Sequence, residues 1–345
     1  MMGTLILDKR NLELKTEGMA LIIYEAGERK STLPIKSIER CIVMGSSIKM
    51  EAGVIQKIME AGGSILMLSS RYHQRNAFIL GNKHNDALIR IEQTSRLLDP
   101  QWCVDWSKMI VKEKLQHQRK SLNHLLKRRP DKRKALLLAI KRIEQQLTSL
   151  SCEDYQARSY ADKNQHLASL RGVEGSATRQ WFAAMAQVFP SQLNFRSRNR
   201  RPPRDPVNIV LSLYYTLLHF EAMRAAHMAG LDPLIGFYHQ PSYGRESLAS
   251  DLIEGLRPDV DMFVLRLFTE KVLRNDYFSY EKEGTCIMNK ASRHTFYQAW
   301  EQQSPIYRRY LRSHCRKIVN VFKQEQQLSR EFTTLGDDEE EEFES

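Results

Sequence analysis

The sequence predicts an α+β protein: a small N-terminal β-rich domain over residues 1–82, a linker and first helix over 83–100, and a larger all-α domain over 101–330. Three observations predict it. Residues 4–44 break into short β-branched and apolar runs separated by turn-forming polar clusters. From Asp86 to about Gln327 the pattern changes to long helical stretches, interrupted chiefly at Arg129-Pro130, at Phe189-Pro190, over 194–206 and over 230–246. Residues 331–345 then become acidic and lose apolar periodicity, the composition of a disordered tail.

The elements follow in order. Thr4–Leu7, Ala20–Tyr24 and Ile38–Met44 are strands, with turn residues Asp8 to Asn11 and Glu25 to Glu28 between them. Glu51–Ala61 places Ile55, Ile58 and Met59 at helical spacing and stops at Gly62-Gly63. Ser64–Leu68 and Ala77–Leu80 are two further strands, after which the long helices begin.

With 345 residues, 42% hydrophobic and 27% charged, the chain is long enough for two real cores, and collagen-like, coiled-coil and wholly disordered classes drop out. Five cysteines scattered singly, with no CxxC pair, exclude a disulfide framework and a zinc finger. No basic-then-apolar leader and no apolar stretch of membrane-spanning length is visible, so the expectation is a cytoplasmic protein with no membrane partner. The charge is the first clue to function. The formal total is +11, yet seven acids lie in the last nine residues, so residues 1–336 carry +18. A folded body with that excess faces a polyanion.

Glu174 is the first chemical anomaly. Steps of about 100° per residue put it on the same helical stripe as Thr178, Trp181 and Met185, which should face the core. A buried carboxylate needs a cationic partner or a metal. The alternative is a solvated acid in a first helical turn, favoured by the helix dipole. Flanking Gly172 and Gly175 favour the first view, because glycine permits close approach. A second stretch runs Gly236, Phe237, Tyr238, His239, then a Gly244-Arg245 turn, then a helix limited by Gly255 and Pro258. Leu248, Leu252 and Leu256 form one stripe of it, while Asp251 and Glu254 project together from the opposite side. Taken singly, those acids are a solvated face and His239 a structural histidine. Taken together, two carboxylates and one imidazole suit Mg²⁺ or Mn²⁺.

At this point the chain resembles the CRISPR-associated integrase and endonuclease family called Cas-one. The landmarks are Gly172 to Gly175, the run Arg198 to Asn208, the Gly236–His239 loop, and Gly244-Arg245 through Asp251 and Glu254 to Arg257-Pro258, in that order. The resemblance implies that Glu174, His239 and Glu254 are metal ligands, with Asp251 a close acidic neighbour in the catalytic set. It also implies a Mg²⁺ or Mn²⁺ cofactor and attack by the 3′-hydroxyl of an incoming DNA fragment on a CRISPR repeat, or hydrolysis by water. His239 as general acid or base stays open. The implied partners are double-stranded DNA (the fragment and the repeat), a second copy in a homodimer paired through the β domain, and a small second CRISPR-associated protein bridging two dimers. The competing class is a non-catalytic basic nucleic-acid-binding scaffold whose acids are structural.

Arg196, Arg198, Arg200, Arg201 and Arg204 lie within nine residues that also contain Pro202 and Pro203, too proline-rich for a helix and suited to an extended basic strand. The segment falls between the two ligand-bearing stretches, so phosphates held by Arg198, Arg200, Arg201 and Arg204 would approach the metal. Arg245, in the Gly-Arg turn, is a candidate phosphate contact beside them. Two further basic clusters, around Lys127–Arg142 and Arg308–Lys317, fit solvated helix faces equally well. His219-Phe220-Glu221 matches a deaminase HxE, but no Pro-Cys-x-x-Cys follows, which excludes that chemistry.

Overall fold

The computed structural model describes residues 3–44, 47–68, 76–81, 86–199, 202–281 and 284–341, with side chains to residue 324. The chain divides into two compact units, Met1–Asp86 and Ala87–Ser345.

Among its described residues the first unit holds two four-stranded sheets and one α-helix. Strands β1 (Gly3–Leu7), β5 (Ile38–Met44) and β7 (Ser64–Leu68) run parallel, with β8 (Ala77–Leu80) antiparallel at the edge. The other sheet is ordered β4 (Glu28–Pro34), β3 (Ala20–Glu25), β2 (Leu12–Glu17) and β6 (Lys49–Met50). Alternation sets the register: Leu12 and Leu14 point inward from β2, and Leu14 pairs with Ile23 of β3. Helix α1 (Ala52–Glu60) adds Val54 and Ile58 to a core with Leu21, Ile35, Ile38, Cys41 and Ile65. It ends at Gly62, whose φ of +81° closes the turn. Strand β4 lacks a sequence signal because nearly all of it is exposed.

Among its described residues the second unit has eight α-helices: α2 (Ala87–Leu98), α3 (Pro100–Arg128), α4 (Arg133–Cys152), α5 (Tyr160–Val188), α6 (Pro206–Met228), α7 (Ser247–Glu254), α8 (Arg257–Thr269) and α9 (Lys290–Glu341). Three of the long ones, α3, α5 and α6, start at side-chain caps. Asp99 accepts from Trp102 N at 3.0 Å, Ser159 from Asp162 N at 3.2 Å, and Asp205 from Asn208 N at 2.8 Å, with Pro100 and Pro206 opening α3 and α6. Helices α3, α4 and α5 pack as one group, and α6 packs on α7, α8 and α9. Helix α6 is buried almost all round, which its near-continuous apolar sequence demands. Among the described residues no helix is long and apolar enough to cross a membrane.

Two expectations need correction. The helical unit is not all-α, because β9 (Phe278–Tyr280) and β10 (Cys286–Met288) form an antiparallel pair, each three residues long and too short to leave a period-2 signal. The backbone of α9 continues to Glu341, through most of the segment assigned to a disordered tail; glutamate is a good helix former, and extending an existing helix needs no new nucleus. Residues 342–345 lie outside the described residues.

Candidate active site

Glu174 sits in the middle of α5, not in a first turn, and faces the helix group as its stripe predicts. Its cationic partner is Lys114. That side chain, buried on the inner face of α3, donates to Glu174 Oε1 and to Glu254 Oε2, the latter at 2.7 Å. Thr178, one turn beyond Glu174, donates to the same Glu174 oxygen at 2.8 Å. The other oxygen of Glu254 accepts from Arg257 Nε at 2.7 Å. Two carboxylates and two cations thus alternate across α5, α3, α7 and α8. Burial alone would raise the pKa of Glu254, but Arg257 and Lys114 hold it far below the usual carboxylate range. Lys114 is likewise kept protonated, since Glu254 and Glu174 outweigh its burial.

Asp251 does different work from Glu254. Its carboxylate is fully buried. Oδ2 accepts from Phe237 N at 2.8 Å and Tyr238 N at 3.0 Å, while Oδ1 accepts from His239 N at 2.9 Å and from His239 Nδ1 at 2.7 Å. With Nδ1–H committed to a carboxylate, the lone pair of His239 is on Nε2. The loop carrying His239 is fixed at its other end by Gln93 of α2, which donates to the carbonyls of Asp232 and Ile235 and accepts from Asp232 N. Gly236 is required where the loop crosses α7: a Cβ there would lie 2.5 Å from the carbonyl carbon of Ser247.

A third carboxylate, Asp261 of α8, accepts from Trp181 Nε1 at 2.7 Å and from the Tyr215 hydroxyl. Burial pushes its pKa up to about 6. The Tyr215 ring lies under two guanidiniums, Arg257 at 4.7 Å and Arg198 at 5.6 Å. All of this encloses a cavity of about 470 Å³, whose charged lining includes Lys114, Glu174, Arg198, His239, Arg245 and Glu254.

The structure therefore brings Glu174, His239 and Glu254 to one cavity, with Arg198 and Arg245 on its wall. Asp251 does not line it. Asp251 and Glu254 do not project together from one side as their spacing predicts: α7 is buried on both sides, at 2% and 5% exposure for the two acids, and their carboxylates turn to different partners. Nothing lies within 4 Å of a Cβ at Gly172 or Gly175, so no neighbouring segment of this chain requires glycine there. Arg198 is not a free member of an extended basic strand; it donates to Asn208 Oδ1 at 2.8 Å and Ser212 Oγ at 3.0 Å on α6. Arg204 is exposed and outside the cavity lining, and Arg200 and Arg201 lie outside the described residues. In the HxE match, Glu221 pairs with Arg308 at 2.8 Å, which explains its burial without chemistry.

Lys114, Arg257, Tyr215 and Asp261 were missed from sequence. One signal for Lys114 exists: it shares the buried face of α3 with Val111, Leu115, Gln118 and Leu122, so a cation on an apolar stripe answers the anion on the stripe of α5.

Among the described residues no three His, Cys, Asp or Glu side chains converge as a ready cation shell. What stands between Glu174 and Glu254 is an ammonium, which marks a point where the fold demands positive charge. Two carboxylates and the free nitrogen of an imidazole are donors that suit Mg²⁺ or Mn²⁺, so the donor chemistry fits such an ion.

Comparison with known proteins agrees with this geometry. Residues 5–302 match the family model described as CRISPR associated protein Cas1. A CRISPR-associated endonuclease Cas1 of Thermodesulfovibrio yellowstonii is 35% identical over 92% of this chain and 98% of its own length, and one of Thermus thermophilus is 30% identical over 84% and 80%. Among solved structures, a casposase bound to integration product aligns with TM-score 0.74 at 18% identity, covering 92% of this chain and 91% of that one. A CAS1 protein from Thermotoga maritima aligns with TM-score 0.74 at 19% identity, covering 93% and 97%. These two similarities establish the fold. With a family match across most of its length and a relative of 35% identity over nearly all of it, the chain belongs to the Cas1 family of CRISPR-associated proteins.

Proposed function

We propose that this chain is a divalent-metal-dependent DNA integrase and endonuclease that inserts DNA fragments into a CRISPR array. The observation that carries the reading is the convergence of Glu174, Glu254 and His239 on one cavity whose wall also bears Arg198 and Arg245. The names of its relatives support it: endonuclease for the curated proteins, and integration product for the casposase.

The chain's own residues divide the work. Glu174, Glu254 and His239 Nε2 would hold Mg²⁺ or Mn²⁺. Bound there, the ion would lower the pKa of an attacking hydroxyl and neutralise charge developing on the phosphate. Asp251 fixes the His239 ring and the Phe237–His239 backbone, so Nε2 is aimed before substrate arrives. Arg198, stacked on Tyr215, and the exposed Arg245 offer guanidiniums to phosphate oxygens from the cavity wall. The arginines on that wall, Arg198, Arg245 and Arg257, favour contacts to the phosphate backbone over contacts to bases. The partners proposed with this activity are duplex DNA, a second copy of the chain, and a small Cas2-type protein; complexes named Cas6-RT-Cas1–Cas2 share the fold, at TM-score 0.76 and 20% identity over 94% of this chain and 35% of that one.

The test is a strand-joining assay with a tailed duplex and a repeat-containing plasmid, in Mn²⁺ or EDTA, with and without the small partner. Joining in Mn²⁺ and none in EDTA is expected, with loss in Glu174→Ala, His239→Ala and Glu254→Ala while DNA binding persists. Joining in EDTA, or retained metal-dependent joining in all three variants, overturns the assignment. DNA binding without any joining would leave the scaffold class.

A further inference from the structure

Lys114 is a buried lysine whose ammonium lies between the two carboxylates proposed as metal ligands, contacting one oxygen of each. Those carboxylates come from different helices, so nothing local in sequence holds them together; in the protein without metal, like charges this close would repel across a poorly solvated gap. The ammonium removes that repulsion. A divalent ion held by these two carboxylates would compete with it for their oxygens. Gln118, one turn further along α3, is 1% exposed, lines the same cavity, and has a buried Oε1 with no donor. That oxygen lies on the same helical face as Lys114, at the i+4 position where a lysine ammonium reaches.

We infer that Lys114 is the resident counter-cation of the Glu174–Glu254 pair: it keeps the two ligands assembled in the metal-free protein and is displaced within the cavity, towards Gln118 Oε1, when a divalent ion binds. The inference rests on the metal reading above and adds a competitor to it. Three consequences follow. The apo site is preformed, so metal binding needs no rearrangement of α5 against α7. Metal affinity is set below what the ligands alone would give, because each ion must break two charge-assisted contacts. The displaced ammonium remains in the cavity, one helical turn from its former place, as an added positive charge for a phosphate.

Substitution to methionine keeps the length and apolar stem of Lys114 while removing its charge. The experiment measures Mn²⁺ binding to the full-length protein by calorimetry without DNA, together with thermal unfolding in EDTA and in Mn²⁺, for wild type, Lys114→Met and Lys114→Met/Glu174→Gln, the second change leaving the Glu254–Arg257 pair intact. Lys114→Met should unfold at least ~5 °C lower than wild type in EDTA, because Glu174 loses its cation and Glu254 keeps only Arg257. It should bind Mn²⁺ about tenfold more tightly, or more, and Mn²⁺ should raise its melting temperature by more than it raises that of wild type. The double variant, with one carboxylate neutralised as well, should recover stability in EDTA, even if Lys114→Met fails to fold without metal. Equal or weaker Mn²⁺ affinity in a folded Lys114→Met, or no recovery in the double variant, overturns the inference. If wild type binds no Mn²⁺ at all, it is the metal reading that fails.

Discussion

The Nδ1 atom of His239 lies 2.7 Å from Oδ1 of Asp251, and that same carboxylate also receives the backbone N–H groups of Phe237, Tyr238 and His239. One buried side chain thus fixes both the ring and the backbone from which the ring projects. Asp251 acts by positioning. Asp251→Asn should keep the fold, lose the acceptor for Nδ1–H and cut joining about 10–100-fold, as for other groups that orient metal-binding histidines. Asp251→Ala should go further and lower stability by about 3 kcal/mol or more, since three buried N–H groups lose their acceptor. Urea unfolding and the joining assay check both; an Asp251→Asn protein with wild-type joining would remove the positioning role.

The two carboxylates paired to Lys114 differ in what else they hold. Glu254 is almost fully buried and also binds Arg257, whereas Glu174 is 21% exposed at its side chain and has Thr178 as its other donor. Glu254→Ala leaves two buried cations short of an anion, and should cost about 3–5 kcal/mol. Glu174→Ala leaves Lys114 still paired with Glu254 and should cost markedly less. Chemical unfolding in EDTA ranks them, and an equal cost would mean that Arg257 draws its compensation from elsewhere.

Much of this site is legible in the sequence, for a specific reason. Glu174 on an apolar stripe states a requirement for a cation, and the structure meets it with Lys114. What sequence does not state is which lysine, since Lys114 is 60 residues away and only the packing of α3 on α5 selects it. Asp251 and Glu254 mislead because a three-residue spacing on a helix reads as one face, while α7 is covered on every side and sends the two carboxylates to different partners. The Arg196–Arg204 segment reads as uniform positive charge, yet Arg198 is built into the wall by α6 and Arg204 stays in solvent. The fold itself follows from periodicity and caps, except where strands are short or fully exposed and leave no alternation to read.

Arg198 and Arg245 line the same cavity with different attachments, and this separates binding from stability. Arg245 is exposed in the turn before α7. Arg245→Ala should weaken DNA binding, reduce the slope of log affinity against log salt by about 1, and change stability by no more than ~0.5 kcal/mol. Arg198→Ala should weaken binding too, and in addition lower stability, because Ser212 Oγ loses its Arg198 donor and Asn208 Oδ1 keeps only Asn199 N. Fluorescence-anisotropy titrations at several salt concentrations, read beside melting curves, distinguish the two; an unchanged salt slope in Arg245→Ala would exclude a phosphate contact there.

Asp261 gives the site a pH signature of its own. Burial raises its pKa from 3.8 to about 6, against the opposing hydrogen bonds from Tyr215 and Trp181 and the charges of Arg198 and Lys114. Between those two values the native state binds a proton that the unfolded chain has released, so the unfolding free energy must fall as pH rises. The contribution is fully present below about pH 4 and lost by the time pH passes about 6; at 1.36 kcal/mol per unit it amounts to about 3 kcal/mol. Carboxylates whose pKa is depressed in the fold, Glu254 above all, add a dependence of opposite sign at lower pH, so the useful quantity is a difference. Asp261→Asn cannot ionise. The unfolding free energy of wild type minus that of Asp261→Asn should therefore decline by up to about 3 kcal/mol between pH 4 and pH 7 and be level outside that window. Urea unfolding of both proteins across that range measures it, and a difference that stays flat would place the Asp261 carboxylate in a far wetter setting than its contacts with Trp181 and Tyr215 describe.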